Sequence, residues 1–316
     1  MRALTKRCAA LAVALGLLGG LAACSPASLH ARWVASAARA EGFEARELAL
    51  PEGRLVYHEA GRGEPLMLLH GFGGNGLVTW KGQATALARQ HRVLVPDLLW
   101  FGASHARRAP SLDAQADAIA ELIESRGLAG VRLVGVSYGG LVAMEVGRRL
   151  PGRVAQLVII NAPGAGFGDA ELAAMLARAG APSAEALFVP AGARELERVM
   201  RVVFDRPRPA SDFVLDDVRR HYFAGREAEL TALMRELVAS RGRYLARLDA
   251  AALPPIALIW SRKDKVFPLE VGERFAARYR APLMVADEGG HNLPVEKPEA
   301  TLKLIEAALA PPAGGE

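Results

Sequence analysis

A mainly parallel β-sheet flanked by helices, an α/β architecture, is the expected fold of this 316-residue chain. Short apolar runs alternate with longer helix-periodic stretches, the pattern of successive β–α–β units. The alternation lapses once, over 165–250, where helical periodicity stands alone and predicts a helical cap inserted after the sixth strand.

The first two strands, Glu44–Leu50 and Leu55–Glu59, are too close together for a helix between them, so they are expected to pair as an antiparallel hairpin at a sheet edge. Leu66–His70, Arg92–Pro96, Val131–Val136, Val154–Ile160, Pro255–Trp260 and Leu283–Ala286 follow, with helices expected near 79–90, 111–126, 138–150, 268–279 and 297–309. Within the inserted stretch, apolar residues recur at helical spacing (Leu172, Met175 and Leu176; Val199, Met200 and Val203; Leu230, Leu233, Met234 and Leu237). Pro182, Pro190, Pro207 and Pro209 are expected to divide it into short helices. The core then comprises 42–164 and 251–310, and Pro311–Glu316 reads as a disordered tail.

Hydrophobic residues make up 51% of the chain, enough for a sizeable core. The formal charge of +5 includes Arg2, Lys6 and Arg7, and subtracting those three leaves +2. That excess is too small to argue for a nucleic-acid partner. These three charges precede residues 8–23 (CAALAVALGLLGGLAA), an uncharged run shorter than the ~20 residues that span a bilayer and weakened as a helix by three glycines. A charged start, a short apolar centre and small residues before a cut site predict an export signal over 1–23. Leu21-Ala22-Ala23-Cys24 resembles the lipobox of bacterial lipoproteins, which implies lipidation of Cys24 and a membrane anchor on the exported side, at an outer membrane if the host has one. Residues 24–41 then read as a tether or amphipathic lead-in. Cys8 and Cys24 are the only cysteines, so a chain cleaved before Cys24 has no pair to form a disulfide.

Gly135-Val136-Ser137-Tyr138-Gly139 joins an apolar run to a helix-periodic one, a G-x-S-x-G turn. A serine there sits on a sharp strand-to-helix turn, where glycines are needed because a Cβ would strike neighbouring backbone. His70-Gly71-Phe72-Gly73-Gly74, a glycine-rich stretch, directly follows another apolar run, Leu66–Leu69. Asp264 lies four residues past the strand ending at Trp260, and His291 follows the strand ending at Ala286. Both sit on loops at the carboxyl ends of parallel strands, where α/β sites are built.

With the order Ser…Asp…His, these motifs resemble serine hydrolases of the α/β-hydrolase fold, over roughly residues 50–310. The resemblance implies Ser137 as nucleophile, His291 as base and Asp264 as the orienting acid. It further implies an oxyanion hole from the backbone N–H groups of Phe72 and Tyr138, supported by His70, Gly71, Gly135 and Gly139. His70 precedes the nucleophile in the chain and is read as structural. The ending from Gly290-His291 to Glu296, Pro298 and Glu299 also resembles the family's. So does Pro96-Asp97-Leu98-Leu99-Trp100-Phe101-Gly102-Ala103-Ser104, except that Trp100 stands where the family usually has glycine. Either that turn is looser here or the indole covers the site mouth.

Gly71-Phe72-Gly73-Gly74-Asn75-Gly76 is formally a dinucleotide-binding G-x-G-x-x-G, with Asp97 where a ribose-binding acid would lie. An NAD-binding oxidoreductase leaves Ser137, Asp264 and His291 unexplained, and a non-catalytic binding lipoprotein needs none of the three together. No H-E-x-x-H or Cys/His cluster suggests a metal, and no cofactor is expected. The expected activity is hydrolysis of carboxylic esters through an acyl-enzyme, with lipase or monoacylglycerol-type chemistry favoured and carbon–carbon bond hydrolysis as the alternative. The expected partners are a small ester with an apolar acyl group and the membrane, with no protein partner. Met175, Met200 and Phe204 in the cap are candidates to face that acyl group.

Overall fold

The computed structural model describes residues 25–249 and 251–310. The export signal and Cys24 lie outside the described residues, as does the tail Pro311–Glu316. Helix α1 (Pro26–Ala40) occupies most of the stretch expected as a tether or lead-in, capped by Ser25, whose side chain accepts the Ser28 N–H. The chain continues through β1 (Glu44–Leu50), β2 (Gly53–Ala60), β3 (Pro65–Leu69), α2 (Gly76–Leu87), β4 (Arg92–Pro96), β5 (His105–Ala106), α3 (Leu112–Ser125), β6 (Val131–Val136), α4 (Tyr138–Arg149) and β7 (Val154–Ile160). Five helices follow: α5 (Asp169–Ala179), α6 (Ala184–Phe188), α7 (Ala193–Val203), α8 (Asp212–Phe223) and α9 (Glu227–Asp249). The sheet then resumes with β8 (Ile256–Ser261), α10 (Leu269–Tyr279), β9 (Leu283–Ala286), α11 (Leu293–Glu296) and α12 (Pro298–Leu309).

The sheet order is β1-β2-β4-β3-β6-β7-β8-β9, with β1 and β2 forming the antiparallel edge and β3, β4 and β6 to β9 parallel. Alternate residues of the central strands point to opposite faces. Leu66, Leu68, Val134, Val136, Val158 and Ile160 pack with α1, α2 and α12. Met67, Leu69, Leu133, Leu157 and Ile159 pack with α3, α4 and α10, and the same core runs on into the inserted helices. Glu145 of α4, its side chain wholly buried, meets Arg148, Arg149 and Arg247, so one carboxylate joins α4 to α9.

Two details differ from the sequence expectation. The two-residue strand β5, paired with β2, makes the insertion follow the seventh strand in chain order rather than the sixth. His105 and Ala106 are too few to leave a periodic signal. The inserted stretch also ends in one continuous helix of 23 residues instead of short pieces. Pro209 is the last proline before Pro254, so nothing in α9 interrupts its hydrogen-bond ladder.

Candidate active site

Strands β3, β6, β7, β8 and β9 are consecutive neighbours, and each carries a site residue just past its carboxyl end. Ser137 sits between β6 and α4 at φ 55° and ψ −123°, a conformation disfavoured for a residue with a side chain. The turn closes because its glycines leave no room for a Cβ. One on Gly135 would lie 2.3 Å from the Gly139 carbonyl oxygen, and one on Gly139 would lie 2.3 Å from that of Leu69. The Ser137 N–H is held by the Ile160 carbonyl at 2.9 Å, and the N-terminus of α4 starts at the nucleophile.

The three residues expected to act together are brought into one relay. Ser137 Oγ lies 2.9 Å from His291 Nε2, and His291 Nδ1 lies 2.8 Å from Asp264 Oδ2. The other Asp264 oxygen accepts the Val266 and Phe267 N–H groups at 2.7 and 2.9 Å. This carboxylate is wholly buried and aimed by backbone, so only Oδ2 is left for the imidazole. That arrangement fixes the tautomer with hydrogen on Nδ1 and leaves Nε2 free to take the Ser137 proton.

The expected oxyanion loop lies against the nucleophile: a Cβ on Gly71 would come within 3.3 Å of Ser137 Cβ. The N–H groups of Phe72 and Tyr138 meet no acceptor among the described residues, as expected of donors reserved for a substrate. His70 is fully buried, and its Nε2 accepts the Leu98 N–H at 2.9 Å, so its hydrogen sits on Nδ1 and is donated to the Gly71 carbonyl at 2.7 Å. Burial holds its pKa below the ordinary value, against the pull of Asp97. His70 is therefore a neutral brace between two loops.

Asp97, which stands where a ribose-binding acid would lie, braces two loops instead. Its two oxygens accept the Gly76 and Ala103 N–H groups, each at 2.8 Å. Trp100 resolves differently from either expectation. It takes the left-handed backbone that glycine usually supplies, at φ 69°, while its indole is buried and donates to the Ala106 carbonyl at 3.1 Å.

Two site residues take roles the sequence did not reveal: Asn161, unassigned there, and Glu296, which figured only in the family-like ending. Asn161, wholly buried after β7, donates from Nδ2 to the His291 carbonyl at 2.9 Å and accepts the Ser261 N–H at 2.8 Å. Its φ of 45° is one that asparagine tolerates better than most residues. Glu296 accepts the Gly290 N–H at 2.7 Å together with the N–H groups of Asp205 and Arg206 at 3.1 Å each. The loop of the base is thereby tied to the chain leaving α7. Asn292 adds a bond from its N–H to the Val203 carbonyl at 2.9 Å.

Two apolar pockets meet at Ser137, and Phe72 and Phe188 border both. One, of about 100 Å³, is lined by Tyr138, Leu141, Met175, Met234 and Phe267 among others. The other, of about 230 Å³, includes His291, Val199, Met200, Phe204 and Tyr222. Met175, Met200 and Phe204 thus all reach a pocket that contains the serine.

This fold and this site define a hydrolase framework, and residues 64–298 match the family described as alpha/beta hydrolase fold. The chain belongs to that family. It is 29% identical over 285 residues to a 2-hydroxymuconate semialdehyde hydrolase of Pseudomonas sp. strain CF600, covering 84% of this chain and 93% of that protein. Lipase 1 of Psychrobacter immobilis is 35% identical over 131 residues, 39% of this chain and 40% of the lipase. Among solved structures, a membrane phospholipase A, a bacterial virulence factor, is similar in fold. Its TM-score is 0.77 at 24% identity, covering 96% of this chain and 98% of that one.

Proposed function

We propose that the chain is a serine hydrolase that cleaves carboxylic esters bearing apolar groups, held at a bacterial membrane by a lipid on Cys24. The observation that carries the ester reading is the Ser137–His291–Asp264 relay at the junction of two apolar pockets. Ser137 Oγ attacks the ester carbonyl while His291 Nε2 takes its proton, and the oxyanion is met by the Phe72 and Tyr138 N–H groups. Collapse of the tetrahedral species returns that proton to the departing alcohol and leaves Ser137 acylated. Water, deprotonated by His291, then attacks the acyl carbonyl, and collapse releases the acid and restores the serine hydroxyl. Because His291 lines only the larger pocket, the alcohol is assigned there and the acyl chain to the smaller one.

The anchor rests on the charged start, the apolar run 8–23 and the Leu21-Ala22-Ala23-Cys24 sequence. A stable anchor needs more than one acyl chain, which a diacylglyceryl group on Cys24 supplies. Carbon–carbon bond hydrolysis is favoured by the likeness to the muconate semialdehyde hydrolase. A muconate-type substrate carries a carboxylate, and the residues lining these two pockets are mostly apolar, with Arg241 as the one arginine or lysine among them. The ester reading therefore stands first. A series of p-nitrophenyl esters from C2 to C12, run beside a vinylogous diketo acid, separates the two. Turnover of the diketo acid alone would replace the ester reading with the other.

A further inference from the structure

We infer that α1 and the start of α8 form a face that lies on the lipid bilayer and turns the pocket of His291 towards it. Leu29, Trp33, Phe213 and Val295 are the large apolar side chains left exposed among the described residues, at 44%, 60%, 65% and 40%. Leu29 and Trp33 are four residues apart on α1, hence on one face, whereas Ala27, Val34 and Ala38 are buried against the protein. Phe213 lies one helical turn before Asp217, whose carboxylate accepts the Ala27 N–H at 2.8 Å, so it stands beside the start of α1. Val295 marks where the larger pocket meets solvent. That pocket is walled by Val78 and Thr79 of α2, by Val218 and Tyr222 of α8 and by α11, and α1 packs on both α2 and α8.

The occupant of this face follows from what precedes it. Helix α1 begins two residues after Cys24, and the run 8–23 before that is uncharged and apolar or small. Five residues separate Cys24 from Leu29, at most about 18 Å of chain. A lipid on Cys24 would therefore hold this exposed face at the headgroup boundary. Helix α1 carries Arg32 and Arg39 and no acid, while the start of α8 sets the exposed Asp212 beside Phe213, so the contact rests on the apolar side chains rather than on net charge. Trp33, with the Lys81 ammonium 4.4 Å from its ring centre, has the amphipathic character of interfacial tryptophans. Apolar esters would then reach His291 from the bilayer without crossing water.

The inference rests on the anchored-hydrolase reading, and it can be tested without turnover. Of the four tryptophans, Trp80, Trp100 and Trp260 are buried, so Trp33 alone can be reached by a quencher in the lipid. The full chain is reconstituted into phosphatidylethanolamine–phosphatidylglycerol vesicles containing dibrominated phospholipid. Trp33 emission should be quenched, and the quenching should vanish in Trp33→Phe. The double variant Leu29→Ser/Phe213→Ser should lose at least about fivefold in rate on an ester dispersed in vesicles, from lost apolar contact. Its rate on a soluble short-chain ester should stay within about twofold. Unquenched Trp33 would overturn the inference, and a dimer with unquenched Trp33 would assign the face to a second copy of the chain. Quenching without ester turnover would instead leave the orientation standing and remove the ester chemistry.

Discussion

Asn161 holds the His291 backbone from a neighbouring strand: its amide donates to the His291 carbonyl at 2.9 Å while its oxygen takes the Ser261 N–H. The His291 loop and the strand that leads to Asp264 are thus clasped by one buried side chain. Asn161→Ala leaves these groups without partners, at a cost of ~1–3 kcal/mol each where no water replaces the amide. The melting temperature should fall by several degrees. Well below that temperature kcat should still drop at least about tenfold, because His291 is no longer held to within the fraction of an ångström that proton transfer needs. Thermal melts and ester kinetics at 15 °C check both.

Ser137→Gly separates chemistry from strain. The variant should neither hydrolyse esters nor react with a fluorophosphonate. It should also be more stable than the parent by ~1 kcal/mol, since φ 55° and ψ −123° cost a serine ~1–3 kcal/mol and glycine loses part of that gain to chain entropy. Denaturant midpoints of the two proteins provide the measurement.

Asp264→Asn keeps the acceptor for Val266 and Phe267 but can offer an N–H to His291, favouring the tautomer with hydrogen on Nε2. Turnover should fall by about four orders of magnitude, the loss known for such a change in a serine protease. Retained activity would mean that another group orients the imidazole.

Acid should destabilise the protein partly through His70. Burial lowers its folded pKa below the ordinary 6.5, so between those two values the unfolded chain binds a proton that the folded chain refuses. Stability from this group is complete above pH 6.5 and is lost as pH falls below it, with a limiting slope of ~1.4 kcal/mol per pH unit. His58, also depressed by burial, acts in the same direction. Melting temperature against pH from 8 to 5 should fall less steeply in His70→Gln than in the parent.

In the proposed assignment of acyl group and alcohol, the two pockets divide the substrate. Met175 lines only the smaller one, and Met200 only the larger. Met175→Glu should penalise C8 acyl esters over acetate, each methylene being worth ~0.8 kcal/mol of burial. Met200→Glu should instead penalise bulky alcohols at constant acyl group. Equal losses across both series would assign these residues to packing alone.

Much of this site could be read from residue order because its chemistry imposes local sequence. Gly135 and Gly139 have to flank Ser137, or a Cβ would meet backbone at 2.3 Å, and strands buried on both faces have to be continuously apolar. Asn161 escaped the same reading, and Glu296 showed only as part of the family-like ending, without its contacts. Apart from Gly290, six residues before Glu296, their partners are backbone groups about 90 to 130 residues away, and backbone groups leave no mark on composition. Trp100 misled because a left-handed tryptophan looks like a broken glycine motif until its indole is seen to be bonded to Ala106. Helix α1 was ambiguous since Ala-rich sequence suits a solvated lead-in and a packed helix alike.

The contacts of Glu296 bear on how such an enzyme can be rebuilt. One carboxylate receives N–H groups from the His291 loop and from the two residues leaving α7. A Cβ on Gly290 would lie 2.5 Å from the Asp205 nitrogen. A cap transplanted from another hydrolase to change specificity would have to bring a close-packed backbone turn with two outward N–H groups at this point. Without it the graft would displace His291 while leaving Ser137, Asp264 and His291 all present. Specificity and catalytic competence are therefore not separately exchangeable parts in this chain, and recombination would succeed at junctions that carry 203–206 together with 290–296.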